Sequence, residues 1–281
     1  RLDEKIKIHN IDLTDFNQLD SLSKNYDWIF HLAAINGTDN FYQINSKVFE
    51  VGVKSCLNIY DYFKNCNSSI IVASSAEVYQ SPEIVPTDES VSLIIPDIKN
   101  PRYSYGGSKI FSELLVMNYG LNYFKKSIIF RPHNIYGPNM GYKHVIPQLI
   151  EKIKIAEKQN KNYISLIGKG IETRAFCYID DLINGLILLM EKGEDKEIYH
   201  IGNDEEISIK KLALSIKNKI NNKLNINEGN ETHSGNTNRR CPNISKIKSI
   251  GYYPKINIDK GLDLTINWYI NNTKTTKNDL L

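Results

Sequence analysis

The feature that most constrains this chain is a repeated pairing of short apolar runs with longer helical stretches. "DWIFHLAA" (27–34), "SIIVASS" (69–75) and "KSIIFRP" (126–132) are apolar without alternation. Strands buried on both faces have that pattern, because helices cover each side of a parallel sheet. Helical segments lie between them. One runs from about Asn45 to Asn65, and another starts near Tyr103, where Ile110, Phe111, Leu114 and Leu115 form one stripe. The alternation predicts an α/β fold, a Rossmann-like, doubly wound parallel sheet. "KIKIHNID" near the start reads as a further strand, and "LTDFNQLDSLSK" as a short helix after it.

Residues 80–102 read as loop, broken by Pro82, Pro86, Pro96 and Pro101. Past Asn134, "HVIPQLIEKIKIAEK", "DDLINGLILLMEKG" and "SIKKLALSIKNKI" read as helices, and "YISLIG" and "EIYHIGN" as strands. The expected division is a dinucleotide-binding domain over 1–134 with parts of 160–205, and a smaller C-terminal α/β lobe over 135–160 and 205–275. The tail "NNTKTTKNDLL" is polar and reads as a frayed end.

Composition removes several function classes. A net charge of +3 on 281 residues gives no footprint for nucleic acid or an anionic membrane surface. No apolar run approaches the ~18 residues of a membrane span. The first residues carry no signal-peptide core, so a cytoplasmic location is expected. Cys56, Cys66, Cys177 and Cys241 lack metal-ligand spacing and read as free thiols in a reducing compartment, with no metal site. No G-x-S-x-G elbow marks a hydrolase.

The chemistry concentrates in "YSYGGSKIFSELL" (103–115). Tyr105 and Lys109, four apart, project from one helical face. A phenol of pKa ~10 is a poor base at neutral pH, but a neighbouring ammonium favours the phenolate. Such a tyrosine can take a sugar hydroxyl proton while hydride leaves the same carbon. Upstream, "SIIVASS" ends at Ser75, and the carboxyl ends of parallel strands face the ligand crevice. Taken alone, the Tyr-Lys pair reads first as a surface pair.

In order and spacing, "DLTD", "HLAA", "SSAEVY", "YSYGGSK", "FRPHNIYGP", "TRAFCYIDD" and "RRCPNISK" resemble the extended short-chain dehydrogenase/reductase family, in its nucleotide-sugar epimerase/dehydratase branch. The resemblance covers essentially the whole chain. It implies a Rossmann domain binding NAD, with NADP left open, and a lobe binding a nucleoside-diphosphate sugar. Asp12 would contact the adenine, and Leu32, Ala33 and Ala34 would line the cofactor. Tyr105 and Lys109 would be the catalytic pair, with Lys109 also on the nicotinamide ribose and Ser75 assisting. Asn134 would reach the sugar nucleotide, Arg174 and Arg240 would hold its diphosphate, and Asn36 and Thr38 would read sugar hydroxyls or simply cap the next helix. Members of this family commonly pair as homodimers through the helices near 45–65 and 103–120.

The glycine-rich turn that opens such a domain is not in this sequence; the one lookalike, "GKGIET" (168–173), lies between two predicted strands. The expectation is a fragment of a longer protein, the alternative being true loss of the phosphate loop. The residues after Ser75 bear on the reaction. Dehydratases of the family place an Asp-Glu pair there, uronate decarboxylases keep the Glu, and GDP-sugar epimerase-reductases place a Cys paired with the His of an "HVIP" segment. This chain has Ala76, Glu77 and "HVIP" from His144. The expectation is an epimerase working through a transient 4-keto sugar, with Glu77 and His144 handling the second proton transfer. Dehydration or uronate decarboxylation are the alternatives within the family, and a non-catalytic nucleotide-binding module is the alternative outside it.

Overall fold

A computed structural model describes residues 5–229 and 237–272. Two compact units share them. Unit 1 takes 1–78, 95–130 and 194–198; unit 2 takes 79–94, 131–193 and 199–281.

Unit 1 is built on a parallel sheet. β1 (Trp28–His31) pairs in parallel with β2 (Ser69–Ala73), and β2 with β3 (Lys126–Pro132). β2 is buried along its whole length, as its unbroken apolar run requires. The Ile129 N–H donates to the Glu197 carbonyl at 3.0 Å, so the chain returns along the far side of β3. α1 (Thr38–Gln43), α2 (Asn45–Phe63) and α3 (Ser104–Leu114) complete the unit. α2 buries Cys56, Ile59, Tyr60 and Phe63, one stripe at helical spacing, onto Ile70 and Val72 of β2, while Val48 packs with Phe41 and Tyr105. Gly52 lets α2 meet α3 closely: a Cβ there would lie 2.4 Å from Ser108 Oγ, one residue before Lys109.

Unit 2 packs β4 (Ile135–Tyr136), α4 (Val145–Lys158), β5 (Tyr163–Ser165), β6 (Thr173–Ala175), β7 (Cys177–Tyr178), α5 (Ile179–Lys192), β8 (Ile198–Ile201), β9 (Glu206–Ser208), α6 (Ile209–Ile220), β10 (Asn225–Asn227), β11 (Arg239–Arg240), α7 (Ser245–Ser249) and α8 (Ile258–Asn271). Short strand pairs β4–β7, β5–β10 and β6–β11 are parallel, and β9 joins β6 antiparallel. The core is the meeting of α4, α6 and α8 through Ile146, Ile150, Ile153, Leu212, Ile216, Leu262 and Ile266. No helix among the described residues is long and apolar enough to cross a membrane.

Two expected elements near the start differ. "KIKIHNID" is not a strand: its described residues, 5–12, carry no ladder. Strand propensity needs a partner for the backbone N–H and C=O groups, and these residues pair with no strand among the described residues. "LTDFNQLDSLSK" tightens into a 3₁₀ turn over Phe16–Ser21, capped by the Asp15 carboxylate on the Asn17 N–H. α1 was not expected. Six residues are too short to show periodicity, and it starts after Gly37, whose φ of 108° closes the preceding loop. The tail beyond residue 272 lies outside the described residues.

Candidate active site

Unit 1 brings Ser75, Tyr105 and Lys109 together. Ser75 follows β2 directly and opens a 3₁₀ turn over Ala76–Tyr79, in which its Oγ accepts the Glu77 N–H at 3.1 Å. α3 is entered through a tight turn, Pro101–Tyr103, whose Asn100 cap accepts the Arg102 N–H at 3.0 Å. That entry sets Tyr105 in the first turn of the helix and Lys109 in the next. Both are buried, at 7% and 2% exposure.

The Tyr105 ring stacks on Phe41 of α1, centroids 5.0 Å apart and planes 11° from parallel. Burial pushes the phenol up to about 12; the hydrogen bond with the Ser75 hydroxyl pulls it back, and the Glu77 carboxylate pushes it further up. The phenol therefore rests neutral. Lys109 Nζ lies 5.8 Å from the Tyr105 ring centroid and donates to the Ala73 carbonyl at 2.8 Å. Burial pulls this amine down to about 8. It remains a cation at neutral pH, with its charge held in the interior beside the phenol. His31, at the end of β1, is buried and neutral; burial, then the Lys109 charge, bring it to about 3. Arg102 Nη2 lies 3.9 Å from Glu77 Oε2.

The residues expected on the cofactor lie in the same unit. Asp12 is exposed, and its carboxylate accepts the Thr14 N–H at 2.9 Å and the Thr14 hydroxyl at 2.8 Å. Those bonds hold it below the usual carboxylate range. Asp12 and Ala33 line one cleft of about 600 Å³ with Val51 and Ser55. Leu32 and Ala33 line a second, apolar cleft along β1. Ala34 packs beside Phe41 and Tyr105. Asn36 turns its amide oxygen onto the Gly37 N–H at 2.7 Å, and Thr38 is the exposed first residue of α1.

The remaining expected residues lie in unit 2. Arg174 and Arg240, far apart in sequence, are direct register partners on β6 and β11 and so share one face. Arg240 Nη2 donates to Thr237 Oγ1 at 3.2 Å. Asp181 accepts the Lys255 and Ile256 N–H groups at 2.9 and 3.0 Å. Asn134 sits at φ 43°, a left-handed conformation Asn tolerates, with its Nδ2 on the Ala175 carbonyl at 3.0 Å. His144 is the half-buried N-cap residue of α4, its pKa lowered by burial.

The sequence profile of the NAD-dependent epimerase/dehydratase family matches residues 1–202. The chain belongs to this family. The UDP-glucuronic acid decarboxylase 3 of Arabidopsis thaliana is 32% identical over 85% of the chain and 68% of that protein. The UDP-N-acetyl-α-D-glucosaminuronate decarboxylase of Bacillus cytotoxicus is 29% identical over 94% of the chain and 83% of that protein. The fold is that of the UDP-glucose 4-epimerase of Thermotoga maritima, crystallised with UDP-glucose: TM-score 0.83, 21% identity, 97% of this chain and 87% of that one.

NAD is accordingly the cofactor of the chain's family, and the residues present fit part of it. The Asp12–Ala33 cleft offers the Asp12 carboxylate as an acceptor, and the buried Tyr105–Lys109 pair offers a phenol and an amine. The sequence contains no turn to hold the diphosphate between them. Sequence reasoning passed over Phe41, Arg102 and His31. Phe41 stands beside Tyr42 in a short polar stretch, and Arg102 follows Pro101 in the loop before the helix; neither carries a spacing rule.

Proposed function

We propose that this protein oxidises a nucleoside-diphosphate sugar at C4, changes the ring elsewhere while the 4-keto form lasts, and reduces it again. The observation that carries the reading is the burial of Tyr105 with Ser75 at its hydroxyl and a buried Lys109 cation beside it. A surface Tyr-Lys pair would need none of that.

Tyr105 takes the C4 hydroxyl proton, Ser75 holds the same oxygen, and Lys109 stabilises the phenolate through its charge. Asp12, Leu32, Ala33, Ala34 and Lys109 hold the NAD. Bound there, oxidised nicotinamide supplies a hydride acceptor and a positive charge that favours the phenolate. Arg174 and Arg240 take the sugar's diphosphate, because guanidinium forks match phosphate oxygens, and Asn134, Asn36 and Thr38 orient the sugar. Glu77, with His144, handles the second proton transfer. Ala76 removes the acid that would protonate a leaving hydroxyl, so epimerisation ranks above water loss.

Decarboxylation of a uronate sugar is the second reading. It is favoured by Glu77 and by the decarboxylases among the relatives. A 4-ketone is β to the C6 carboxylate, so oxidation alone sets up loss of carbon dioxide.

The test is to offer the whole protein UDP-glucose, UDP-N-acetylglucosamine, dTDP-glucose and UDP-glucuronate with NAD and follow products by NMR. An epimer supports the first reading and carbon dioxide with a pentose product the second. A stable 4-keto-6-deoxy sugar would show that a dehydratase acid lies elsewhere.

A further inference from the structure

α3 touches the end of β2 three times, from one face. The Tyr105 phenol lies near enough to the Ser75 hydroxyl for that hydroxyl to lower its pKa. Lys109 Nζ donates to the Ala73 carbonyl at 2.8 Å. Glu113, one turn further, accepts a hydrogen bond from the Ser74 hydroxyl through its Oε1. Positions i, i+4 and i+8 of a helix lie along one stripe. Here that stripe engages three consecutive residues at the strand's carboxyl end. The mechanism above uses two of these contacts and leaves the third.

Glu113 is 4% exposed. Burying a carboxylate costs several kcal/mol that a leucine at the same place would not, unless its bonds return something. The hydrogen bond it accepts from the Ser74 hydroxyl fixes Ser74. The Ser74 N–H also donates to the Phe130 carbonyl of β3 at 2.8 Å. Ser74 is thus tied to the sheet by its backbone and to α3 by its side chain. The next residue is Ser75, whose Oγ takes the Glu77 N–H at 3.1 Å, and whose carbonyl takes the Val78 N–H at 3.3 Å. Fixing Ser74 therefore fixes the turn that aims both Ser75 and Glu77.

We propose that Glu113 is a positioning residue for the sugar oxidation: through Ser74 it sets where the end of β2 lies against α3, and so holds the Ser75 hydroxyl on the Tyr105 phenol. It touches neither sugar nor cofactor. The inference rests on the reading of Ser75, Tyr105 and Lys109 as the oxidising group. It goes beyond that reading by assigning the buried carboxylate four residues past the Tyr-Lys-containing "YSYGGSK" segment.

The experiment compares Glu113→Leu, Glu113→Gln and Ser74→Ala with the wild-type protein in two measurements. The first is amide hydrogen exchange at Glu77 and Val78, without sugar, taken relative to Ile71 and Val72 in the core of β2. Glu113→Leu and Ser74→Ala should speed exchange of the turn by about tenfold, the equivalent of one lost hydrogen bond. Glu113→Gln, which keeps an acceptor oxygen, should leave it near wild type. The second is steady-state turnover of whichever nucleotide sugar the wild type converts. Glu113→Leu and Ser74→Ala should lower kcat with KM unchanged, and the double variant should be no worse than either alone. Glu113→Gln should restore kcat.

Unchanged exchange in the turn, a rise in KM with kcat intact, or additive losses in the double variant would each overturn the proposal. Should Glu113→Leu fail to fold, Ser74→Ala carries the same test, since it removes the donor and leaves the carboxylate in place. A wild-type protein that reduces no cofactor with any sugar nucleotide would overturn the oxidation itself, while the exchange result would still decide whether Glu113 orders the turn.

Discussion

Lys109 should cost the folded chain stability, and by an amount that depends on pH. Burial lowers its pKa from 10.5 to about 8. The folded state thus resists a proton that the unfolded state accepts. At pH 7 both states are largely protonated, and the folded one bears nearly the full penalty, about 3 kcal/mol at 1.36 kcal/mol per pH unit. At pH 9 the folded amine has mostly lost its proton while the unfolded one has not, and the remaining penalty is about 2 kcal/mol. Stability therefore rises with pH through the window from about 8 to 10.5. Lys109→Met removes the titration and also leaves the Ala73 carbonyl without its donor, a loss of ~1–3 kcal/mol. The variant should match or slightly exceed wild type in stability at pH 7. The sharper quantity is the difference between the two proteins, from which the Ala73 loss largely cancels. Wild type should gain about 1 kcal/mol on Lys109→Met between pH 7 and pH 9. Urea unfolding at the two pH values measures this through the midpoints and slopes. A difference that stays constant across that range would refute the buried-cation account of the site.

Three further outcomes are expected. Arg174→Ala and Arg240→Ala should each weaken sugar-nucleotide binding by ~2 kcal/mol in calorimetric titration, as loss of a charge-assisted fork does, and unchanged affinity in both would remove the diphosphate assignment. The protein should be a homodimer by light scattering at micromolar concentration, pairing through α2 and α3, where Phe49 and Leu114 are exposed; a monomer mass would count against it. Acid should destabilise unit 2, because His200 is buried and held down to about 3, by burial first and the Arg131 charge second. Its folded pKa lies below the unfolded 6.5, so stability is complete above pH 6.5 and falls as pH drops toward 3, by about 2 kcal/mol at pH 5. His200→Gln should flatten that acid limb of the unfolding profile.

The parts of the fold legible in the sequence were those with strong local signals. β2 and β3 are unbroken apolar runs, and α2 shows a clear stripe, so each was placed to within a few residues. "KIKIHNID" failed because a strand is a pairing rather than a propensity, and its partner is not set by its own residues. The Tyr105–Lys109 spacing was readable because a helix converts four positions into one face. The position of Ser75 was readable because strand ends gather ligands in parallel sheets. The alignment of Arg174 with Arg240 came from the family resemblance; strand register between β6 and β11 has no local signature. Glu113 was invisible for another reason. A glutamate in a helix reads as a solvated residue, and only packing against β2 shows that it is buried on Ser74.

The central claim is that hydride leaves C4 of the sugar while Tyr105 takes the proton. The most direct test mixes the whole protein, carrying NAD, with the sugar nucleotide it converts, bearing hydrogen or deuterium at C4, and follows the reduced-cofactor absorbance in a single turnover. The account predicts a transient rise that decays as product forms, slowed by deuterium, and absent in Tyr105→Phe although the sugar still binds. Product formed with no transient and no isotope effect, or a Tyr105→Phe variant that turns over at the wild-type rate, would contradict it.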